Sequence, residues 1–210
     1  MKKVLFLLPL LAFLVVGCQN NSTDDGGDGG DDGGDDLPQY SLIAEYDFTQ
    51  DGHSSTGTTL TAETALVLFN DSFVSGGTNK LTSIGSDLSA VYDGNATGGA
   101  FENTPALIKM GKSGGNGNIT LNFAAATNIA KAVVSCHDWY AASDSYPTNS
   151  NSLVVNGESQ LAPYTTTSTP GELTYEFETA SDVLTISTNY VDTSKGGRVF
   201  MFSLAIYTLE

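Results

Sequence analysis

Along much of the chain, apolar side chains return at every second position. Leu42, Ala44, Tyr46 and Phe48 alternate with Ile43, Glu45 and Asp47, the period of a strand with one packed face. Ile119, Leu121 and Phe123 alternate with Thr120 and Asn122, and Leu173, Tyr175 and Phe177 with Thr174, Glu176 and Glu178. Val183 to Ile186 forms another short strand segment. Three runs are more continuous. Ile129 to Trp139, with Val133, Val134 and Cys136, reads as a long strand, Val199 to Tyr207 as a central strand covered on both faces, and Ala65-Leu66-Val67-Leu68-Phe69 as a buried strand. Leu153-Val154-Val155 runs into Asn156-Gly157, a pair that favours the type I′ hairpin turn, and Glu158-Ser159-Gln160-Leu161 supplies the return strand.

Between these runs lie stretches rich in Gly, Ser, Asn and Asp, and no segment carries a three-turn amphipathic helix pattern. About eight short strands separated by turn signals predict an all-β fold, an antiparallel β-sandwich, with a jelly roll as the expected topology. The folded domain is expected over residues 40–210, a length that suits one domain.

The first 39 residues follow different rules. Met1-Lys2-Lys3 precedes a mostly apolar run from Val4 to Val16 that Pro9 interrupts. It falls short of the about 20 residues needed to cross a bilayer, so residues 1–17 read as a signal peptide. Val15-Val16-Gly17-Cys18 resembles the lipobox of bacterial lipoproteins. That resemblance implies acylation of Cys18 on sulfur, cleavage before it, and acylation of the new amino group. Several acyl chains, at about 0.8 kcal/mol per buried CH₂, hold a protein on a membrane effectively permanently.

Residues 24–36 contain only Asp and Gly, seven and six of them. No side chain there gains from burial and the charges repel, so residues 18–39 are expected to be a disordered, extended tether. At about 3.3 Å per residue it reaches roughly 60 Å. Its spacing is not that of a calcium-binding helix–loop–helix. An acidic stretch directly after the lipobox Cys resembles the tethers of surface lipoproteins of Bacteroidetes-type bacteria, which implies an outer-membrane anchor and a domain facing the cell exterior.

The second half carries a further resemblance. Gly114-Gly115-Asn116-Gly117-Asn118-Ile119-Thr120-Leu121, Ala132-Val133-Val134, Leu153-Val154-Val155-Asn156-Gly157 and Arg198-Val199-Phe200-Met201-Phe202-Ser203-Leu204 resemble β-sandwich modules of secreted proteins from Bacteroidetes and Firmicutes. These modules are similar in style to galactose-binding-like carbohydrate-binding domains, which implies a glycan ligand of unspecified identity. Residues 50–105 carry no such likeness.

Charge removes one class of function. With 8 Lys+Arg against 24 Asp+Glu the net charge is −16, and such a chain repels nucleic-acid phosphates at long range. Two Cys and two His are too few for a four-ligand N/S zinc site. Gly111-Lys112-Ser113-Gly114-Gly115 has the letters of a nucleophile elbow, and Gly111-Lys112-Ser113 those of a P-loop end. Both motifs need a helix next, whereas Gly and Asn follow, and Ala106 occupies the first P-loop glycine position, so a loop between strands is expected. His137-Asp138 on a strand would send its side chains to opposite faces and make a poor metal pair. Cys136, in phase with Ala132 and Val134, is expected to be a buried apolar residue with no disulfide partner once Cys18 is acylated.

The candidate binding residues cluster after the long strand. Trp139 is the single Trp, and Tyr140 and Tyr146 stand nearby with Asp138 and Asn149. Sugar rings stack C–H faces on aromatic rings and pair hydroxyls with Asn, Asp and Arg, and Arg198 is the single arginine able to add a bidentate contact. The same residues also suit a plainer role, with Trp139 capping the core and the tyrosines packing the loop. Glu45, Asp47 and Asp51 are candidate calcium ligands, a site that needs six to eight oxygens. A non-catalytic glycan or polymer binder is the expected function. A secreted hydrolase (a glycosidase with two facing carboxylates, or a nuclease) and a non-enzymatic partner of an outer-membrane protein complex are the alternatives.

Overall fold

The computed structural model describes residues 38–50, 57–95, 101, 107–139, 151–165, 167, 169–190 and 196–210. The expected signal peptide, Cys18 and the Asp/Gly segment lie outside these residues. In chain order the elements are β1 (Tyr40–Asp47), β2 (Thr58–Thr59), α1 (Ala62–Asp71), β3 (Phe73–Ser75), β4 (Leu81–Ile84), β5 (Val91–Asp93) and β6 (Ile108–Met110). There follow β7 (Asn118–Phe123), β8 (Ile129–Asp138), β9 (Asn151–Val155), β10 (Glu158–Leu161), β11 (Gly171–Ser181), β12 (Val183–Tyr190) and β13 (Val199–Leu209).

Strands from β6 onward pass back and forth between two antiparallel sheets. One contains β11-β8-β13-β6 in that order, the other β10-β9-β12-β7. This is the strand order of an eight-stranded jelly roll, and the protein is an all-β sandwich. Short strands extend both sheets: β5 and β2 beyond β6, and β4 beyond β7. The 11-residue β13 serves two neighbours on one edge. Val199–Met201 pair with β6, while Ser203–Leu209 pair with β1, and β8 runs along the opposite edge.

Alternation along the strands builds the core. Ala132, Val134 and Cys136 of β8, Leu204 and Ile206 of β13, Ile119 and Leu121 of β7, and Leu184 and Ile186 of β12 are fully buried between the sheets. Each Val, Leu or Ile among them contributes about 1.5–3 kcal/mol by leaving water. Tyr175 of β11 crosses the gap and donates its hydroxyl to the Leu153 carbonyl of β9 at 2.9 Å, so its one polar atom is satisfied inside the core. At the β9–β10 hairpin, Asn156 and Gly157 have φ of 47° and 89°, as the two central residues of a type I′ turn require.

The run Ala65–Phe69 is not a strand: it lies inside helix α1. Thr61 caps the helix, accepting from the Thr64 N–H at 3.2 Å while its own N–H donates to Thr64 Oγ1 at 2.8 Å, a reciprocal box with Thr in the place usually held by Glu or Gln. Phe69 then meets Tyr46 of β1 and Phe48 just after it edge-on, with centroids 5.4 and 5.0 Å apart. The apolar run packs one helical face against the sandwich and leaves Val67 55% exposed. A five-residue apolar run fits either period, and here the cap decides between them.

Candidate functional site

The end of β8 and the start of β13 meet at one rim of the larger sheet. Val199 pairs with Asp138, which places Arg198 opposite Trp139, and the Trp139 N–H donates to the Arg198 carbonyl at 3.2 Å. Across this pair the Arg198 guanidinium carbon lies 3.7 Å from the centre of the indole. A guanidinium this close to the face of an indole gains cation–π attraction. Trp139 also packs against an apolar cluster of Leu107, Phe200 and Phe202 on the outer face of the sheet, joined by Phe101.

A buried polar scaffold underlies the pair. Asp138 and Asn151 are both fully buried. Asn151 donates its side-chain amide to Asp138 Oδ1 at 2.7 Å and its backbone N–H to Oδ2 at 3.3 Å. The Asn151 side-chain oxygen accepts the Arg198 backbone N–H at 2.7 Å. One amide thus ties β8, β9 and the entry to β13, which fixes the backbone that presents Arg198.

His137 and Asp138 do point to opposite faces, yet both are fully buried because both faces are covered at this end. The His137 ring stands edge-on to Phe101, centroids 5.2 Å apart, and tilted to Tyr164 at 5.9 Å. Its Nε2 accepts the Thr165 N–H at 3.3 Å and its Nδ1 faces the Asp138 carbonyl at 2.5 Å. This arrangement requires the tautomer with hydrogen on Nδ1. Both ring nitrogens are occupied within the protein.

Next to this rim lies Lys109, opposite Phe200 on the β6–β13 ladder and opposite Tyr92 on the β5–β6 ladder. Its ammonium sits 5.1 Å from the centre of the Tyr92 ring. Burial, together with the charge of Arg198, lowers the Lys109 pKa from its usual 10.5. Neither Lys109, Tyr92 nor Asn151 has a sequence signal of its own, since each is a single polar or aromatic residue in an ordinary strand pattern. Only the register brings them beside Trp139 and Arg198.

Of the candidate binding residues, the structure therefore joins Trp139, Arg198 and Asp138, with Asp138 in the supporting scaffold rather than on the surface. Tyr140, Tyr146 and Asn149 lie outside the described residues. Among the candidate calcium ligands, Glu45 and Asp47 share the outward face of β1. Glu45 accepts from the Ser75 hydroxyl at 2.7 Å, and Asp47 accepts from the Thr49 hydroxyl at 2.6 Å and its N–H at 2.8 Å. Asp51 lies outside the described residues, and among those described no three His, Cys, Asp or Glu side chains are placed to hold a metal together.

The Gly111–Gly117 segment is a loop between β6 and β7. Lys112 and Gly115 exchange backbone hydrogen bonds at 2.9 and 3.1 Å around a tip at Ser113-Gly114, and strand β7 follows. Glycine is required at its base: a Cβ on Gly111 would lie 1.8 Å from the Gly197 carbonyl oxygen, and one on Gly117 2.5 Å from the Gly111 nitrogen. Thr188 locks this contact by accepting from the Gly117 N–H at 2.8 Å and donating to the Gly197 carbonyl at 2.6 Å. Neither the family models nor the curated proteins compared with this chain give a match.

Proposed function

We propose that this protein is a lipid-anchored β-sandwich lipoprotein of a bacterial outer membrane, facing the cell exterior, that binds a glycan or similar extracellular polymer without chemistry. The observation that carries the reading is the stack of the single Trp on the single Arg at the sandwich rim, 3.7 Å apart. An aromatic ring and a guanidinium side by side match the two needs of sugar recognition, an apolar face and directional donors. The Asp138–Asn151 scaffold supports the reading further, because a preorganised site loses less freedom when ligand binds. The lipobox and the Asp/Gly segment supply the anchoring half of the proposal.

The test is retention of the full-length protein, solubilised in detergent, on a panel of immobilised polysaccharides. Wild type is expected to bind at least one of them, and Trp139→Ala to weaken that binding tenfold or more with an unchanged circular dichroism spectrum. Binding to none of the panel removes the glycan reading. For the anchor, mass spectrometry of the processed chain is expected to find Cys18 as an acylated N-terminus. An unmodified Cys18 removes that part.

A further inference from the structure

The strands of the smaller sheet are nearly free of charge. Strands β4, β7, β9, β10 and β12 carry one charged side chain, Glu158, and it lies opposite the inward-facing Val155. Their outer face is therefore built from Ser, Thr, Asn and aliphatic residues, in a domain whose residues 40–210 hold 17 acidic and 6 basic side chains. An ordinary soluble surface draws about a quarter to a third of its residues from the charged types. One side of this face is satisfied internally. The Asp87 carboxylate reaches it from the loop after β4 and accepts from Thr120 and Asn118 at 2.8 and 2.7 Å, Asn122 donates to Ser83 at 3.2 Å, and Thr185 donates to Asn156 at 3.2 Å. Toward β9 and β10 that pattern stops. The register sets Ser187, Val154 and Ser159 in one row across three strands and Asn189, Ser152 and Leu161 in the next. All six are half-buried or exposed, and among the described residues the hydroxyls of Ser152, Ser159 and Ser187 make no hydrogen bond. Ser152 directly follows Asn151, so the patch begins at the end of the sandwich where Asp138, Asn151 and Arg198 meet.

We propose that these two rows form a contact surface for an uncharged glycan chain. This rests on the glycan reading above for the class of ligand, places the contact on the smaller sheet and makes no use of the Trp139–Arg198 stack. Hydroxyls that the protein leaves unpaired both donate and accept, as sugar hydroxyls do. Neighbouring strands lie about 4.8 Å apart and alternate residues along a strand about 6.6 Å. Val154 and Leu161 thus offer aliphatic surface to the C–H groups of a sugar ring whose hydroxyls reach the serines beside them. Charge on the ligand works against binding. A carboxylate or sulfate laid on this patch loses water and gains no cation, and the acidic domain repels it from further out. Size works against a folded partner. Three strands by two rows cover roughly 200 Å², a quarter of the about 800 Å² that each side of a stable protein interface buries.

The experiment titrates the full-length, detergent-solubilised protein with uncharged mannan, laminarin and arabinan and with the polyanions alginate and polygalacturonate. At least one uncharged polysaccharide is expected to bind, with an affinity that salt leaves unchanged, and the polyanions to bind tenfold or more weakly than it. Ser187→Arg and Ser159→Arg are each expected to weaken that binding tenfold or more, and Ser187→Thr to keep it within threefold. Thr174→Arg, which puts the same side chain on an exposed position of the larger sheet, is expected to leave it within twofold. Ser159 stands exposed on the return strand β10, so Ser159→Arg decides the matter if Ser187→Arg lowers the melting midpoint. Binding that survives in both Arg variants, or binding of the polyanions alone, overturns the uncharged contact surface and leaves the glycan reading standing. A dimer in sedimentation that Ser187→Arg dissolves gives the patch to a second copy of the chain and overturns the proposal as well. Binding of none of these polymers, with no retention on the polysaccharide panel, overturns both readings.

Discussion

Replacing Asn151 with Ala tests whether one buried amide holds the rim together. The substitution removes the 2.7 Å bond to Asp138 Oδ1 and the 2.7 Å bond from the Arg198 N–H. It leaves a buried carboxylate oxygen and a half-buried N–H each without that partner. An orphaned neutral group costs about 1–3 kcal/mol and a charged one more. The Asp138 Oδ2 contact from the Asn151 backbone N–H survives, which places the sum at about 3–4 kcal/mol. For a domain of this size each kcal/mol lowers the melting midpoint by about 2–4 °C, so a fall of roughly 10 °C is expected in calorimetry, with a matching shift of the urea midpoint. Asn122→Ala is the control, because it removes only an exposed 3.2 Å contact to Ser83, and such surface changes stay within about 0.5 kcal/mol. Trp139, the single Trp, reports locally: its emission is expected to shift to the red in Asn151→Ala as the Arg198 stack loosens. A stability loss below about 1 kcal/mol with unchanged emission would refute the claim that Asn151 organises the site.

Two glycines separate backbone strain from steric exclusion. Gly157 has φ of 89° with open space around a would-be Cβ, whereas Gly111 has φ of 88° and a carbonyl oxygen 1.8 Å away. Gly157→Ala is expected to cost about 1–2 kcal/mol, and Gly111→Ala at least about 2 kcal/mol more through forced repacking, both read from urea midpoints. The Cys136 thiol, whose pKa burial pushes up to about 12, has about one thiolate in ten thousand at pH 8. The peptide containing it is expected to resist iodoacetamide in the folded protein and to label fully in guanidinium; fast labelling of the native state contradicts this. Asp182 has its pKa lowered chiefly by the Asn128 N–H, and Asp87 by the Thr120 hydroxyl and the Asn118 amide. Each depressed pKa gives stability that is present above the ordinary carboxylate value and lost as pH falls through the folded one. Asp182→Asn and Asp87→Asn are therefore expected to flatten the acid side of the stability profile, and an unchanged acid limb counts against those contacts.

The long strands were legible in the sequence because each repeats its period enough times to be unmistakable. β1, β7 to β9 and β11 to β13 coincide with segments whose alternation or apolar run is visible directly, and Asn156-Gly157 marks the hairpin that returns as β10. The segment from residue 50 to 110 was not legible. Its strands β2 to β6 span only two to four residues each, too few for a period to declare itself, and they exist because longer neighbours offer them an edge. Helix α1 was misread because Ala65 to Phe69 fits both periods, while its cap uses Thr64 where a sequence signature expects Glu or Gln. At the candidate site, Trp139 and Arg198 stood out by rarity and aromatic chemistry. Their stacking, the Asn151 bridge and the approach of Lys109 depend on register between strands 13 to 89 residues apart in sequence, which no local pattern records.

The shared edge of β13 also has a mechanical meaning. Tyr40 pairs with Leu209, while Arg198 lies just before the other end of that strand, about 35 Å away at the rise of an extended chain. The chain thus enters at one pole of the sheet and presents Trp139 and Arg198 at the opposite pole. When the N-terminal side is held and the Trp139–Arg198 rim is pulled away from it, tension runs lengthwise down β13 and across to β1. The β1–β13 hydrogen bonds then resist together in shear instead of parting one after another.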